Sequence, residues 1–283
     1  SANVFGNISI EVSGENSVLE RILAGGGYAY DASNKDEERT LEANVKGNIE
    51  IYLDCPNIGS GNKIYGGGYA YIVQEINNQN IEANVIGDIN ITLSGNTKAV
   101  GEGYLNLWGG GSAGILMNAN SGVELDNTKA SATVTGDISV DASKDFNATS
   151  GYDDWDSSMF DNLYGGGHAS GPYADATVNG NTDVITCREV RDSQRSGAFA
   201  GGHATHGSKA RVTGNTKIEV VAAENAADRH ESAKNVGGGG LAGFYGDAVV
   251  EGNTHVIIGE GVLFEGGGFF GVTGGGVVFE EYG

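Results

Sequence analysis

Cysteine and proline are almost absent from this chain, with two of each in 283 residues. Cys55 and Cys187 stand far apart and neither belongs to a CxxC pair, so neither a disulfide framework nor a cysteine zinc site is indicated. The scarcity of proline, without any Gly-X-Y period, excludes collagen despite 49 glycines. Basic residues are also few. Sixteen Lys and Arg stand against 37 Asp and Glu, a formal charge of −21, so phosphate backbones are repelled and no nucleic acid partner is expected. No apolar run is long enough to span a bilayer, and no membrane insertion is expected in this segment. Hydrophobic residues make up 39% of the chain, enough for a packed core and too many for wholesale disorder. The sequence starts at Ser1 without a charged-then-apolar run, so no signal peptide is expected within it.

What is present is a repeat, and it decides the expected fold. The phrase A-x-V-x-G-[N/D] occurs seven times, beginning at Ala2, Ala43, Ala83, Ala132, Ala176, Ala210 and Ala248. Its glycines fall at 6, 47, 87, 136, 180, 214 and 252, in steps of 41, 40, 49, 44, 34 and 38. A weaker eighth copy is readable from Phe270, where Val272-Thr273-Gly274 fits. After each Gly-Asn or Gly-Asp comes an alternating run, such as Ile49-Glu50-Ile51-Tyr52-Leu53, whose period of two marks a half-buried strand. A glycine run then follows an apolar residue, as in Ile64-Tyr65-Gly66-Gly67-Gly68 and Leu163-Tyr164-Gly165-Gly166-Gly167, usually with a small residue two positions on.

Each unit therefore offers three extended pieces separated by bends, too close together for hairpins throughout. They predict an all-β fold: a single-stranded right-handed parallel β-helix of about seven to eight turns with variable loop insertions. Residues 1–283 read as one domain, a fragment of something longer, because Ser1 lies inside a repeat. Val45, Val85, Val134, Val178, Val212 and Val250 are expected to form one interior ladder, the alanines to let two walls approach, and the Asn/Asp after each bend to stack. The glycine runs suit close backbone packing. A phosphate-cradling loop would need a following helix and usually a lysine, and no Gly-Lys-Ser/Thr follows any copy. Stretches 31–42 and 222–234 are compatible with short helices or loops.

Several side-chain groups stand out. Tyr152, Asp153, Asp154, Trp155 and Asp156 share one loop, which could bind calcium through Asp153, Asp154 and Asp156 or form a sugar-stacking platform. A solvated acidic loop is the plainer reading. The residue after each glycine run predicts an outer ladder of Tyr28, Tyr69, Ser112, His168, His203, Leu241 and Phe269, with Tyr30 and Tyr71 adding to a tyrosine patch. Stacking would bring His168 and His203 to about 5 Å, with ordinary ladder packing the plain alternative to a metal pair. No same-face acid pair with a neighbouring base stands out, and no Ser or Cys triad has local support. The Thr182, Thr216, Thr254 column raises an ice-binding array as a third reading.

The A-x-V-x-G-N and GGG-x-A phrases together resemble the glycine-rich repeats of adhesin-like surface proteins of Gram-positive gut bacteria, over nearly the whole chain. That resemblance implies β-helical stalks or adhesive modules. It supplies no catalytic residues, and this chain lacks an LPxTG-type sorting signal. The expectation is a non-enzymatic, extracellular, cell-surface module that binds a glycan or host surface protein or acts as a stalk. No cofactor is required, with calcium the one candidate. End-to-end self-association through open edges is a further expectation. The alternative is a β-helix polysaccharide-degrading enzyme, a lyase or glycoside hydrolase.

Overall fold

The computed structural model describes residues 1–32, 38–59, 62–73, 79–97, 105–116, 128–144, 160–187, 197–222, 235–262 and 271–279. Among them the regular elements are all strands; four seven-stranded parallel sheets take up all but two of them in rotation, and Val18–Leu19 pairs with Asn57–Ile58 in a small fifth sheet. The valine sheet holds Ala2–Phe5, Arg39–Lys46, Gln79–Ile86, Lys129–Thr135, Ala174–Asn179, Lys209–Val212 and Asp247–Val250. A second sheet follows the Gly-Asn bend with Ile8–Ser13, Ile49–Asp54, Ile89–Leu93, Ile138–Ala142, Thr182–Thr186, Thr216–Val220 and Thr254–Ile258. A third precedes the glycine runs: Ile22–Ala24, Lys63–Tyr65, Leu105–Trp108, Phe160–Tyr164, Gly197–Phe199, Asn235–Gly237 and Gly271–Thr273. A fourth follows them: Tyr28–Asp31, Tyr69–Ile72, Ser112–Ile115, His168–Ser170, His203–Thr205, Leu241–Gly243 and Val277–Phe279. The arrangement is compatible with a β-solenoid. Each unit contributes one strand to each of the four large sheets, four rather than three, because the glycine run is itself a bend between two of them.

Three further expectations change. Val272-Thr273-Gly274 does not open an eighth valine strand. It belongs to the third sheet, where Val272 pairs with Val236, and Gly274 to Gly276 form that unit's glycine run. The ladder position opposite Leu241 is therefore held by Val277 and not by Phe269, which lies outside the described residues. The end of the helix-compatible stretch 31–42 is extended, within the strand Arg39–Lys46; residues 223–234 of the other stretch lie outside the described residues.

The valine ladder is continuous. Val4, Val45, Val85, Val134, Val178, Val212 and Val250 pair in register from one end to the other. Val45 to Val212 are buried in one cluster with the inward residues of the second sheet, including Ile49, Ile89 and Ile138, and with Leu23, Ile64, Leu107 and Leu163 of the third. Val250, near one end, is partly buried against it. Alanines make a second cluster where the valine sheet faces the fourth, among them Ala43, Ala83, Ala132 and Ala176 against Ala29, Ala70, Ala113 and Ala169. Small side chains on both walls allow this approach. A Cβ built on Gly111 or Gly167 would already lie 2.8 Å from the Cβ of Ala132 or Ala176.

The bend between the valine and second sheets is set by glycine and an amide ladder. Gly47, Gly87 and Gly136 have φ of +155, +150 and +152°, and a Cβ on any of them would fall on the carbonyl of the glycine one unit back. The next residue locks the stack. Asn48 N–H donates to Asn7 Oδ1 at 2.9 Å, Asp88 N–H to Asn48 Oδ1 at 3.0 Å and Asp137 N–H to Asp88 Oδ1 at 2.9 Å. The series continues through Asn181, Asn215 and Asn253 at 2.8, 2.9 and 2.9 Å. Every bend amide from Asn48 onward is thereby satisfied by a side chain from the unit before it.

Thr182 and Thr216 occupy the inward column of Ile49, Ile89 and Ile138, and both are buried. Their hydroxyls donate to the carbonyls of Ala200 and Gly238, each at 2.6 Å. Two of the three threonines of this column are thus interior, with only Thr254 of the last unit exposed, which removes the flat exposed array that the ice-binding reading needed. Cys55 and Cys187 are buried thiols outside any disulfide, which donate to the carbonyls of Ser17 and Ala142.

Candidate functional site

Strand alternation on either side of the glycine bend points one row of side chains inward and the next outward. Leu23, Ile64, Leu107 and Leu163 go to the core, so Ala24, Tyr65, Trp108, Tyr164 and Phe199 face out of the third sheet. Ala29, Ala70, Ala113 and Ala169 go inward on the fourth sheet, so Tyr28, Tyr69, Ser112, His168 and His203 face out of it. The two outward rows meet across the bend and pack on one another. Tyr65, Tyr69, Trp108, Tyr164, Phe199, Leu241 and Val277 form a third apolar cluster outside the main core.

The rings make a continuous line. Tyr28 stacks on Tyr69 at 4.8 Å between ring centroids, Tyr69 meets Tyr71 at 5.5 Å and Tyr65 at 5.6 Å, and Tyr65 stacks on Trp108 at 5.1 Å. Trp108 meets His168 at 4.8 Å. His168 lies 5.3 Å from His203, and His203 lies flat on Tyr164 at 5.0 Å, which in turn stacks on Phe199 at 5.4 Å. Offset and tilted ring pairs of this kind are favourable beyond simple burial. Glycine makes room for the line: a Cβ on Gly114 would strike the Tyr71 ring, and one on Gly237 the Phe199 ring. One end is open, with Tyr28 52% and Tyr30 42% exposed. The middle is closed, with Trp108, Tyr164 and His203 all buried.

Burial sets the protonation states. It pushes the phenols of Tyr65, Tyr69 and Tyr164 well up, so they remain O–H donors at neutral pH. It holds His168 well below the usual imidazole value, aided by His203, and with His206 and Lys63 pushes His203 down to about 4. Both imidazoles are thus neutral near pH 7. The Lys63 residue is exposed, yet burial around its ammonium end lowers its pKa too. Ser112 Oγ lies 3.2 Å from His168 Nδ1. Several buried polar atoms here have no hydrogen-bond partner among the described residues: Trp108 Nε1, Tyr164 Oη and both ring nitrogens of His203.

The structure therefore brings six of the singled-out residues into one line: Tyr28, Tyr30, Tyr69, Tyr71, His168 and His203. His206 stands apart from the line's stacking, exposed and against Phe244 at 4.9 Å. Tyr152, Trp155 and the calcium candidates Asp153, Asp154 and Asp156 lie outside the described residues. No group of three or more His, Cys, Asp or Glu suited to a metal occurs among the described residues. Sequence reasoning passed over Tyr65, Trp108, Tyr164 and Phe199. Their signal was an aromatic immediately before the glycines in three successive units, and one residue earlier, before Ala200, in the fourth, on the opposite alternation phase from the core leucines. No helix among the described residues is long and apolar enough to cross a membrane. Comparison with family models, curated proteins and solved structures found no match.

Proposed function

We propose that this chain is a non-enzymatic, adhesin-like extracellular module of a bacterial surface protein, which uses the aromatic corner to bind a host or matrix glycan. The observation that carries the reading is the unbroken ring line that ends in the exposed faces of Tyr28 and Tyr30. Sugar rings present C–H faces that lie well on such surfaces. The resemblance to adhesin-like glycine-rich repeats supports it, and the charge of −21 suits a soluble rod. The proposal includes a right-handed coil of about seven turns, the hand that parallel crossovers favour. Calcium at Asp153, Asp154 and Asp156 belongs to it as well, with a lowered melting temperature in chelator as its mark. So does end-to-end association through the terminal units, where Phe5 and Val278 are each 77% exposed.

A glycan array tests the function. Saturable binding that is lost in the Tyr28→Ala/Tyr30→Ala double variant, without release of sugar, is the expected result. Release of reducing ends or unsaturated products would overturn it in favour of a polysaccharide-degrading enzyme.

A further inference from the structure

We infer that the closed middle of the aromatic corner recognises an acidic sugar residue, of uronic or sialic type, with its carboxylate placed among Trp108, Tyr164 and His203. This rests on the glycan-binding reading above and narrows it to a ligand class. The argument is one of unmatched hydrogen-bonding capacity. An indole N–H can only donate, so the partner missing from Trp108 Nε1 is an acceptor. The Tyr164 hydroxyl is held in its protonated form and has no partner either. Neutral His203 adds one more donor and one acceptor, both unmatched. These rings are in mutual contact, with Trp108 to Tyr164 at 6.2 Å and Tyr164 to His203 at 5.0 Å. Three buried donors in one cluster call for a group with several acceptor oxygens, since native proteins rarely leave such atoms unpaired.

A metal ion cannot fill that need, because a cation offers nothing to an N–H donor. Charge agrees. In a chain of net −21, the cation at this place is Lys63, whose charge acts on both His168 and His203. Asp161 is the carboxylate that faces Tyr164. One unmatched atom has the opposite polarity. Asn162 Oδ1 is an acceptor without a donor, while its Nδ2 donates to Asn106 Oδ1 at 2.7 Å. A carboxylate for the donors and a ring hydroxyl for Asn162 are what a sugar acid carries on one scaffold. Beside these buried atoms, His168 and Asn162 are only partly buried.

Calorimetric titration of the whole chain with a galacturonate oligosaccharide and with the matching neutral galactose oligosaccharide tests this. It is repeated on Trp108→Phe, which keeps an aromatic ring and removes the donor, and on Lys63→Met. The acidic sugar is expected to bind about tenfold or more tightly than its neutral twin, and Trp108→Phe to lose about tenfold, the effect of one hydrogen bond to a charged group. Equal affinity for the two sugars overturns the acidic assignment and leaves the glycan reading standing. Acidic-sugar binding unchanged in both variants places recognition elsewhere and overturns the inference. Binding of neither sugar also overturns it, and the glycan reading is then judged on the array alone.

Discussion

Replacing Gly136 by alanine puts the stacked bend to the sharpest test. Its φ of +152° is a conformation that L side chains rarely adopt, and its new Cβ would fall on the Gly87 carbonyl. The backbone strain alone costs about 1–3 kcal/mol. Relieving the clash means separating two units where Gly87 N–H donates to Thr135 O, Ile89 N–H to Asp137 O and Asp137 N–H to Asp88 Oδ1, each at 2.9 Å. At about 1 kcal/mol for each bond, losing two of them brings the total to about 3–5 kcal/mol. For a chain of this size that lowers the melting temperature by about 10 °C. Asp137→Asn is the matched control. It keeps the oxygen that accepts from Asn181 N–H at 2.8 Å, and asparagine already stands at positions 48, 181, 215 and 253. Its effect should stay within about 0.5 kcal/mol. Both variants are measured by thermal and urea unfolding followed by circular dichroism. A Gly136→Ala protein that melts with the parent would refute the stacked-bend argument, because the added methyl has no room unless the units are not stacked as described.

Val178→Asp places an unpaired charge at a fully buried ladder position and should abolish folding or cost several kcal/mol, read as loss of the cooperative melt; an unchanged melting point refutes it. Stability should also fall in acid. His203 has a folded pKa of about 4 against about 6.5 unfolded, so above pH 6.5 neither state is protonated and nothing is lost. Below that the unfolded chain takes up the proton first, and about 3 kcal/mol is lost between pH 6.5 and 4. His203→Phe should flatten that part of the melting curve against pH, and an equally steep curve in the variant would be the contrary result. Cys55 and Cys187 are buried thiols and should react with a thiol reagent only after denaturation; rapid labelling of the native chain would contradict the packing.

Which parts of this architecture were legible in the sequence depended on whether one residue's role could be read from its own repeat column. Val134 and Ala132 sit in columns of fixed identity, because an interior position stacked on copies of itself tolerates little variation in volume. Asn48, Asp88 and Asn181 were legible for a related reason: the bend accepts any short side chain that offers an oxygen to the next amide. Thr182 misled because a polar residue in a strand suggests a solvent face, and only the position of the Ala200 carbonyl shows how its hydroxyl is satisfied inside. Val272-Thr273-Gly274 misled because a Val-x-Gly triplet fits either bend of the repeat, and pairing with Val236 decides between them. The aromatic corner was half visible. The column after the glycines was read as an outer ladder, whereas Trp108 and Tyr164 before the glycines passed as ordinary apolar residues. Their partnership arises from the bend itself, which turns two outward rows toward each other. A ladder meets copies of its own column by translation, and the sequence displays that directly. A corner joins two different columns, and the angle that joins them is carried by glycines with no side chain to announce it. The buried donors of Trp108, Tyr164 and His203 therefore appear only when both columns are placed together.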